Sequence, residues 1–292
     1  MDIGKRDPIT GRLTTGHEWN GIEELETPVP RVVLFFLAIT TLFAIGYWIL
    51  MPSWPLGTTY TKGILGIDQR DVVTKQVEAA QLARGPWMDK IGAADFATLK
   101  ADPAVMQHVH ETGRRLFTDN CAVCHGVNAT GGPGFPNLTA KAWLWGGSPE
   151  TLAQTITVGI NSTNDDTRTS QMLAFGSTGT LNPKQVGQVA AYVHSLSGES
   201  GAEAGDAETI KAGHEIFTAN CVSCHGEDAK GKQDVGAPNL TDKTWIYGGD
   251  LDTIYRTIYA GRQGHMPNWK SRLSPGEIKL LALYVDSLGT AP

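Results

Sequence analysis

The hydrophobic pattern of the chain changes abruptly after a polar beginning. Residues 1–31 mix charged, polar and turn-forming residues with no apolar period, which predicts a tail without a packed core. The segment 32–51 then runs for 20 residues without a charge. A helix of that length is about 30 Å long and matches the hydrocarbon thickness of a bilayer. Tyr47 and Trp48 lie near its end, as in an interfacial aromatic belt, and Pro52 stops it. The pattern predicts one transmembrane helix at 32–51.

A cleaved signal peptide and a buried core helix are the alternatives for this segment. The preceding tail is long and acidic, no small-residue cleavage pattern follows, and the segment has no polar face. We therefore expect an uncleaved anchor. The positive-inside rule does not give its orientation, because Arg12 and Arg31 before the helix are matched by Lys62 and Arg70 after it.

Residues 52–103 form a connecting segment with a weaker pattern. Within it, 71–84 places apolar residues at helical spacing, and Gly85 and Pro86 follow. This predicts a weakly amphipathic helix that ends at the Gly-Pro pair. The segment could lie on a membrane surface or pack on the domain that follows, and the pattern does not decide between them.

The rest of the chain contains the same pattern twice, at 104–198 and 207–292. Each copy ends in a capped amphipathic run, opened by Asn182-Pro183 in the first and by Ser274-Pro275 in the second. Residues 199–206 are rich in Gly, Ser and acidic residues and read as a linker. We therefore predict a mainly α chain: a membrane anchor followed by two tandem domains, each closed by its own final helix.

Net charge adds little to this picture. The 292 residues carry a formal charge of −6 and contain no basic block. Nothing in this balance favours a nucleic-acid partner, and it is too mild to select a basic protein partner.

The cysteines carry the chemistry. All four of them lie in two Cys-x-x-Cys-His motifs, one in each copy. This spacing is the attachment signature of c-type haem: the two thiols form thioethers and the histidine ligates the iron. Zinc sites, redox dithiols and a pair of disulfides also use four cysteines. The histidine that follows at once in both copies favours two covalently bound haem c groups, held by Cys121, Cys124 and His125 and by Cys221, Cys224 and His225.

A methionine is available in each copy as the sixth iron ligand. Between motif and closing helix the first copy contains only Met172 and the second only Met266. Although a methionine taken at random is more often core filler, this correspondence predicts Met172 on the first haem iron and Met266 on the second. His265 is a competitor for the second site. An iron closed on both faces has no open position for a substrate, so we expect outer-sphere electron transfer rather than catalysis.

Several residues at shared spacing resemble class I cytochrome c. In that family the first and last helices cross at a small residue and an aromatic, which matches Gly113 and Gly213 with Tyr192 and Tyr284. The resemblance also implies that the carbonyls of Pro136 and Pro238 orient the two iron-binding histidines. It further implies attachment of the haems outside an energy-transducing membrane. The tail would then be cytoplasmic and both haem domains periplasmic, on a bacterial inner membrane.

The tail and span carry a closer resemblance. Thr15-Gly16-His17-Glu18-Trp19-Asn20-Gly21-Ile22, followed by Pro28-Val29-Pro30-Arg31 and Ile45-Gly46-Tyr47-Trp48, is similar to the dihaem subunit, subunit III, of cbb3-type cytochrome c oxidase. Trp143-Leu144-Trp145-Gly146-Gly147 belongs to the same similarity.

This resemblance implies that the chain accepts electrons from a cytochrome c or a bc1 complex. It would pass them towards a monohaem subunit and the haem–copper catalytic subunit, without reducing oxygen itself. The alternatives are the cytochrome subunit of a periplasmic dehydrogenase and, in another class, a haem sensor or a dihaem peroxidase.

Overall fold

The computed structural model describes residues 4–197 and 206–289 and is mainly helical, which confirms the predicted fold class. The chain divides into two compact units, with the boundary between Ala83 and Arg84. The linker expected at 199–206 lies outside the described residues, except for Asp206, whose side chain caps the helix that follows.

The first unit begins with a β-hairpin where an unpacked tail was expected. Strand β1 (Thr14–Trp19) pairs antiparallel with β2 (Ile22–Leu25). Asn20 and Gly21 connect them with φ values of 53° and 86°. Two positive φ values in a two-residue loop are typical of a type I′ turn, for which Asn-Gly is a strongly preferred sequence. The hairpin was not predicted from the sequence, and Asn20-Gly21 was the signal for its turn.

Helix α1 (Arg31–Leu50) is the apolar segment, and no residue in it is buried. Among the described residues it is the one helix long and apolar enough to cross a membrane. The chain after α1 folds back to satisfy its last carbonyls, since Ile64 N donates to Ile49 O (3.0 Å) and Leu65 N to Leu50 O (3.1 Å). Gly63 makes this approach possible, because a Cβ there would lie 2.3 Å from Leu50 O.

Helix α2 (Gln69–Ala93) is longer than predicted and continues through Gly85 and Pro86. The Gly-Pro pair therefore did not end the helix. The reason is tertiary packing, which overrides local propensity. The last turns of α2 and the short helix α3 (Phe96–Lys100) bury Ile91 and Leu99 completely in the core of the second unit.

The second unit contains eight further helices in the described part of the chain. They are α4 (Pro103–Asn120), α5 (Ala122–His125), α6 (Pro149–Val158), α7 (Pro183–Leu196), α8 (Ala207–Asn220), α9 (Val222–His225), α10 (Leu251–Ala260) and α11 (Pro275–Ser287). The closing helices α7 and α11 both begin with a capping box, which confirms the capped start predicted for each.

These helices form two bundles that exchange their last helix. The first bundle consists of α4, α5 and α6 of the first copy with α11 of the second; its core joins Phe117 to Leu281. The second bundle consists of α8, α9 and α10 with α7 of the first copy, and its core joins Phe217 to Val189. The expectation that each copy is closed by its own final helix is wrong.

Two glycines at helix crossings show the exchange most directly. A Cβ on Gly113 of α4 would lie 2.8 Å from Cβ of Tyr284 in α11. A Cβ on Gly213 of α8 would lie 2.8 Å from Cβ of Tyr192 in α7. The crossing expected from the class I resemblance exists, but each glycine meets the tyrosine of the other copy.

The exchange is fixed where the chain leaves α6 and α10. Ile160 and Met266 exchange backbone hydrogen bonds of 2.9 Å in both directions. Met172 and Arg262 do the same at 2.8 and 3.1 Å. The helix-ending glycines Gly159 and Gly261 both have φ of 71°, and a Cβ on either would lie 2.5 Å from the carbonyl oxygen of Met266 or Met172, respectively. These contacts hold each methionine segment against the opposite copy.

Candidate functional site

Each Cys-x-x-Cys-His motif forms a tight helical turn at the end of a long helix. Cys121 ends α4 through a hydrogen bond from its N–H to Phe117 O (2.7 Å), and His125 N donates back to Cys121 O (3.0 Å). Cys221 and His225 repeat this after α8, with distances of 2.8 and 2.9 Å. One turn of helix therefore places both sulfurs and the imidazole of each motif on one side of the chain.

The two motif histidines have a defined tautomer. His125 Nδ1 lies 3.1 Å from Pro136 O, and His225 Nδ1 lies 3.1 Å from Pro238 O. Because a carbonyl oxygen only accepts, Nδ1 carries the proton and donates it. The lone pair of Nε2 is left free for a metal in both rings.

Burial keeps these histidines and the first cysteine of each motif neutral. It lowers the pKa of His125 and of His225, although the hydrogen bond to the proline carbonyl opposes this in each case. Burial, and then the neighbouring cysteine, raises the pKa of Cys121 and of Cys221 to about 11. Both imidazoles and the first thiol of each motif are thus uncharged near neutral pH, which suits an apolar macrocycle better than a tetrathiolate zinc site.

The two methionines lie in the opposite arrangement to the predicted one. Met172 was expected in the first site and Met266 in the second. Met266 packs against the core of the first bundle, and so does Cys121. Met172 packs against the core of the second bundle, and so does Cys221. Each motif thus shares a core with the methionine of the other copy. His265, the sequence competitor, is exposed.

One cavity of about 680 Å³ connects both motifs. Its wall includes His125 and His225, both methionines, and Phe217 from the second core. Most of the remaining lining is apolar, as in sites for flat hydrophobic cofactors. A single cavity open to both motifs can bring two bound groups close together.

Sequence reasoning missed polar groups that line or adjoin this cavity. Arg262 and the indole of Trp145 line it, and Arg168 stacks on Trp145 with 5.1 Å from Cζ to the ring centroid. Trp145 Nε1 is buried and has no hydrogen-bond partner among the described residues. A buried orphan donor on a residue of the cavity wall fits a ligand with a polar edge, such as the carboxylates of a haem. Trp145 lies in the Trp143–Gly147 motif, but only its structure shows what the indole faces.

Comparisons with known proteins agree with this geometry. Three family models match the chain: the N-terminal domain of cytochrome oxidase-cbb3, FixP, at residues 11–58; cytochrome c at 110–197; and cytochrome c oxidase, cbb3-type, subunit III at 208–285. The cytochrome c matches imply binding of haem c.

Curated relatives match over almost the full chain. The cbb3-type cytochrome c oxidase subunit FixP of Bradyrhizobium sp. (strain ORS 278) is 47% identical over 99% of this chain and 98% of its own. The subunit CcoP of Cereibacter sphaeroides is 44% identical over 94% of both chains, and that of Azospirillum brasilense is 39% identical over 98% of both.

Proposed function

The chain belongs to the FixP/CcoP family of cbb3-type cytochrome c oxidase subunits, and from this premise we propose that it carries electrons through two haem c groups to the catalytic subunit. As a member of that family it is an electron-transfer cytochrome subunit and not the catalytic one. The observation that carries the dihaem proposal is the single cavity shared by both Cys-x-x-Cys-His motifs.

The proposed ligands follow the bundles rather than the copies. Cys121 and Cys124 attach the first haem, and His125 with Met266 ligates its iron. Cys221 and Cys224 attach the second haem, and His225 with Met172 ligates that iron. The support for this pairing is that Met266 shares a core with the first motif and Met172 with the second.

Haem bound in this way supplies a one-electron ferric–ferrous couple. The residues of the chain prepare the site for it. Pro136 O and Pro238 O hold each imidazole with Nε2 free, and a hydrogen bond from Nδ1 to a carbonyl raises the basicity of Nε2 as a ligand. The apolar wall excludes water, which limits the reorganisation that accompanies a change of charge. A thioether ligand on each iron leaves no open position, which argues against a sensor or peroxidase.

The membrane placement is also part of the proposal. We expect α1 to span the inner membrane once, with the β-hairpin in the cytoplasm and both bundles in the periplasm. The apolar surface of α1 and its place in an oxidase subunit support anchoring. The partners would be the haem–copper and monohaem subunits of the oxidase, with a cytochrome c or a bc1 complex as donor. Similarity that includes the tail and span favours an oxidase over a dehydrogenase complex.

The test uses the oxidase complex purified through a tag on this chain. We expect two covalent haems per chain and a weak absorption near 695 nm in the ferric state, typical of methionine on haem iron. Reduced cytochrome c should reduce both haems before the catalytic haem in a rapid-mixing experiment. One haem per chain, high-spin iron in the untreated protein, or purification without a haem–copper subunit would overturn the proposal.

A further inference from the structure

The chain forms a compact loop directly after α1. This apolar loop, residues 52–67, contains one charged side chain, that of Lys62. Its tryptophan, leucine and isoleucine side chains are all exposed, at 39–75% of their surface: Trp54, Leu56, Ile64, Leu65 and Ile67. Exposed apolar side chains concentrated in one short loop mark an interaction surface, because water alone gives no reason to collect them there.

The backbone of the apolar loop is bonded within the loop itself. Thr61 N donates to Trp54 O (2.9 Å), and Trp54 N donates to Thr61 Oγ1 (3.0 Å). Leu56 N donates to Thr59 O (2.6 Å) at the tip. Backbone groups that are satisfied in this way lose little when water is scarce around them. The loop can therefore enter a lipid boundary that would reject an irregular segment with free N–H groups.

The second half of the loop returns to the last turn of α1. Ile64 N donates to Ile49 O (3.0 Å), and the next residue repeats the contact. Leu65 N donates to Leu50 O (3.1 Å). An α-helix of 20 residues spans about the hydrocarbon thickness of a bilayer, so the ends of such a helix lie at the headgroups. Residues bonded to the last turn of α1 share that depth.

A pair of tryptophans joins the loop to the same end of α1. The ring of Trp54 in the loop lies against that of Trp48 in α1, with 5.1 Å between centroids and 60° between planes. Both rings are exposed. An indole has a large apolar body and one N–H donor, and it is enriched where lipid meets water. The pair places the start of the loop at the same level as its return.

Charged groups border the apolar loop where α2 begins. Tyr60 OH donates to Asp68 Oδ1 (2.9 Å), and Arg70 N donates to the same oxygen (2.9 Å). The hydrogen bond from Tyr60 lowers the pKa of Asp68, so this carboxylate is charged near neutral pH. Lys62 is exposed and can extend its ammonium group towards lipid phosphates. An apolar set bordered by charge fits a lipid–water boundary.

We propose that the apolar loop lies in the headgroup region of the bilayer, where its apolar side chains contact lipid and its hydrogen bonds to α1 hold it. This inference rests on the membrane placement in the proposed function. The two alternatives for the connecting segment then apply to different parts of it. The loop 52–67 contacts the membrane surface, and the last turns of α2 pack in a protein core. The loop thereby fixes how deeply α1 is immersed.

The first test is photo-crosslinking in the intact oxidase complex, placed in nanodiscs of phosphatidylethanolamine and phosphatidylglycerol. The photoreactive residue p-benzoylphenylalanine replaces Leu56 or Ile64, and mass spectrometry identifies what is attached to the chain. We expect lipid adducts from both positions. The same residue in place of Lys211, on the exposed face of α8, is the control and should give no lipid adduct.

Thiol labelling in the same nanodiscs measures the water around the loop. Ile64 is 75% exposed, so this chain does not shield it. A membrane-impermeant maleimide should label Ile64→Cys about tenfold more slowly than Lys211→Cys, because lipid contact raises the thiol pKa and one unit removes nine-tenths of the thiolate. Equal rates would overturn the proposal.

A glycine variant tests whether the hydrogen bonds to α1 hold the loop. A Cβ on Gly63 would lie 2.3 Å from Leu50 O, so Gly63→Ala should displace the loop without changing its apolar side chains. Combined with Ile64→Cys, it should raise the labelling rate towards that of Lys211→Cys. An unchanged rate would overturn the role given to these hydrogen bonds.

Photoreactive residues in α1 separate this inference from the proposed function. Leu34 and Phe43 are exposed and nine residues apart, about two and a half turns, so they lie on opposite faces. Lipid adducts from either, with none from Leu56 and Ile64, would overturn only the placement of the loop. Adducts of the loop positions to another oxidase subunit would do the same, since a protein would then cover the loop. No lipid adduct from any of the four would overturn the membrane placement itself.

Discussion

Tyr284 of α11 packs directly on Gly113 in the first helix of the first copy. A Cβ added at Gly113 would lie 2.8 Å from the Cβ of Tyr284. The ring of Tyr284 also lies 5.6 Å from that of Phe117, one turn before Cys121. The first motif is therefore closed by a helix of the second copy, and this decides which methionine can reach it.

The proposed pairing of each motif histidine with the methionine of the other copy can be tested in a variant that binds a single haem. With Cys221→Ser and Cys224→Ser, only the first motif attaches haem. In that background Met266→Leu should convert the remaining haem to a high-spin form that binds carbon monoxide, whereas Met172→Leu should leave it low-spin. Optical and electron paramagnetic resonance spectra measure this. The opposite result would support pairing within each copy and contradict the proposal.

The glycines at the two crossings should not tolerate a side chain. Gly213→Ala should destabilise the protein most, because its Cβ would meet the backbone oxygen of Gln188 at 2.1 Å. Gly113→Ala should cost less, since its nearest contacts are side-chain atoms. Both losses should be on the order of 1–3 kcal/mol, typical of overpacking.

Gly187→Ala is the matched control, because Gly187 lies within α7 and a Cβ there meets nothing within 4 Å. It should stabilise the helix by about 0.5–1 kcal/mol. Thermal unfolding followed by circular dichroism in detergent compares the three variants. Equal effects at positions 187 and 213 would contradict the close crossing.

The glycines that end α6 and α10 should control the methionine segments of the opposite copy. Gly159→Ala should weaken methionine ligation in the first bundle, because a Cβ would lie 2.5 Å from Met266 O. Gly261→Ala should do so in the second bundle, through Met172 O. The intensity of the 695 nm band reports each loss.

Gly179→Ala separates backbone strain from the clash. Gly179 has φ of 77°, but a Cβ there meets nothing within 4 Å. It should therefore cost the strain of a positive φ, about 1–2 kcal/mol, without loss of the band. A band that weakens as much in this variant as in Gly159→Ala would show that strain, not contact, is responsible.

The first bundle should depend on residues before residue 104, where the first copy was expected to begin. Ile91→Ala should destabilise the protein by about 2–5 kcal/mol, because Ile91 is fully buried and truncation leaves a cavity. Leu82→Ala on the same helix is the control, since Leu82 is 80% exposed and should change stability by less than about 0.5 kcal/mol. Thermal unfolding measures both. A small effect of Ile91→Ala would mean that the end of α2 is not part of this core.

The sequence predicted the individual helices and motifs of this protein better than it predicted which helices pack together. The motifs, the apolar helix and both capping boxes depend on local residue order, and local order is enough to specify them. The exchange is not local: α7 and α11 carry the same kind of apolar face and a tyrosine at the same place, so either could close either bundle. Closure by a copy's own final helix and closure by the other copy's final helix differ in the path of the segments after Gly159 and Gly261. The sequence marks this path only by those two glycines.

The polar groups beside the cavity were missed for a related reason. Arg168 lies in a loop without periodicity, and no spacing links it to Trp145. The continuation of α2 through Pro86 was missed because burial of Ile91 outweighs the local cost of the proline. In each case a contact between distant parts of the chain determines the structure, and the local sequence pattern does not contain that contact.

The exchanged helices also have a consequence for biosynthesis. A ribosome releases the first motif long before it makes α11, so the first bundle remains unfinished until α11 has emerged. The second bundle, by contrast, can close as soon as α10 emerges, because α7 is already present. Haem attachment at the first motif would thus have to act on an open crevice, and a chain truncated before α11 could complete only the second bundle. Because each bundle contains a helix of the other copy, cutting the chain between the copies cannot separate the two bundles.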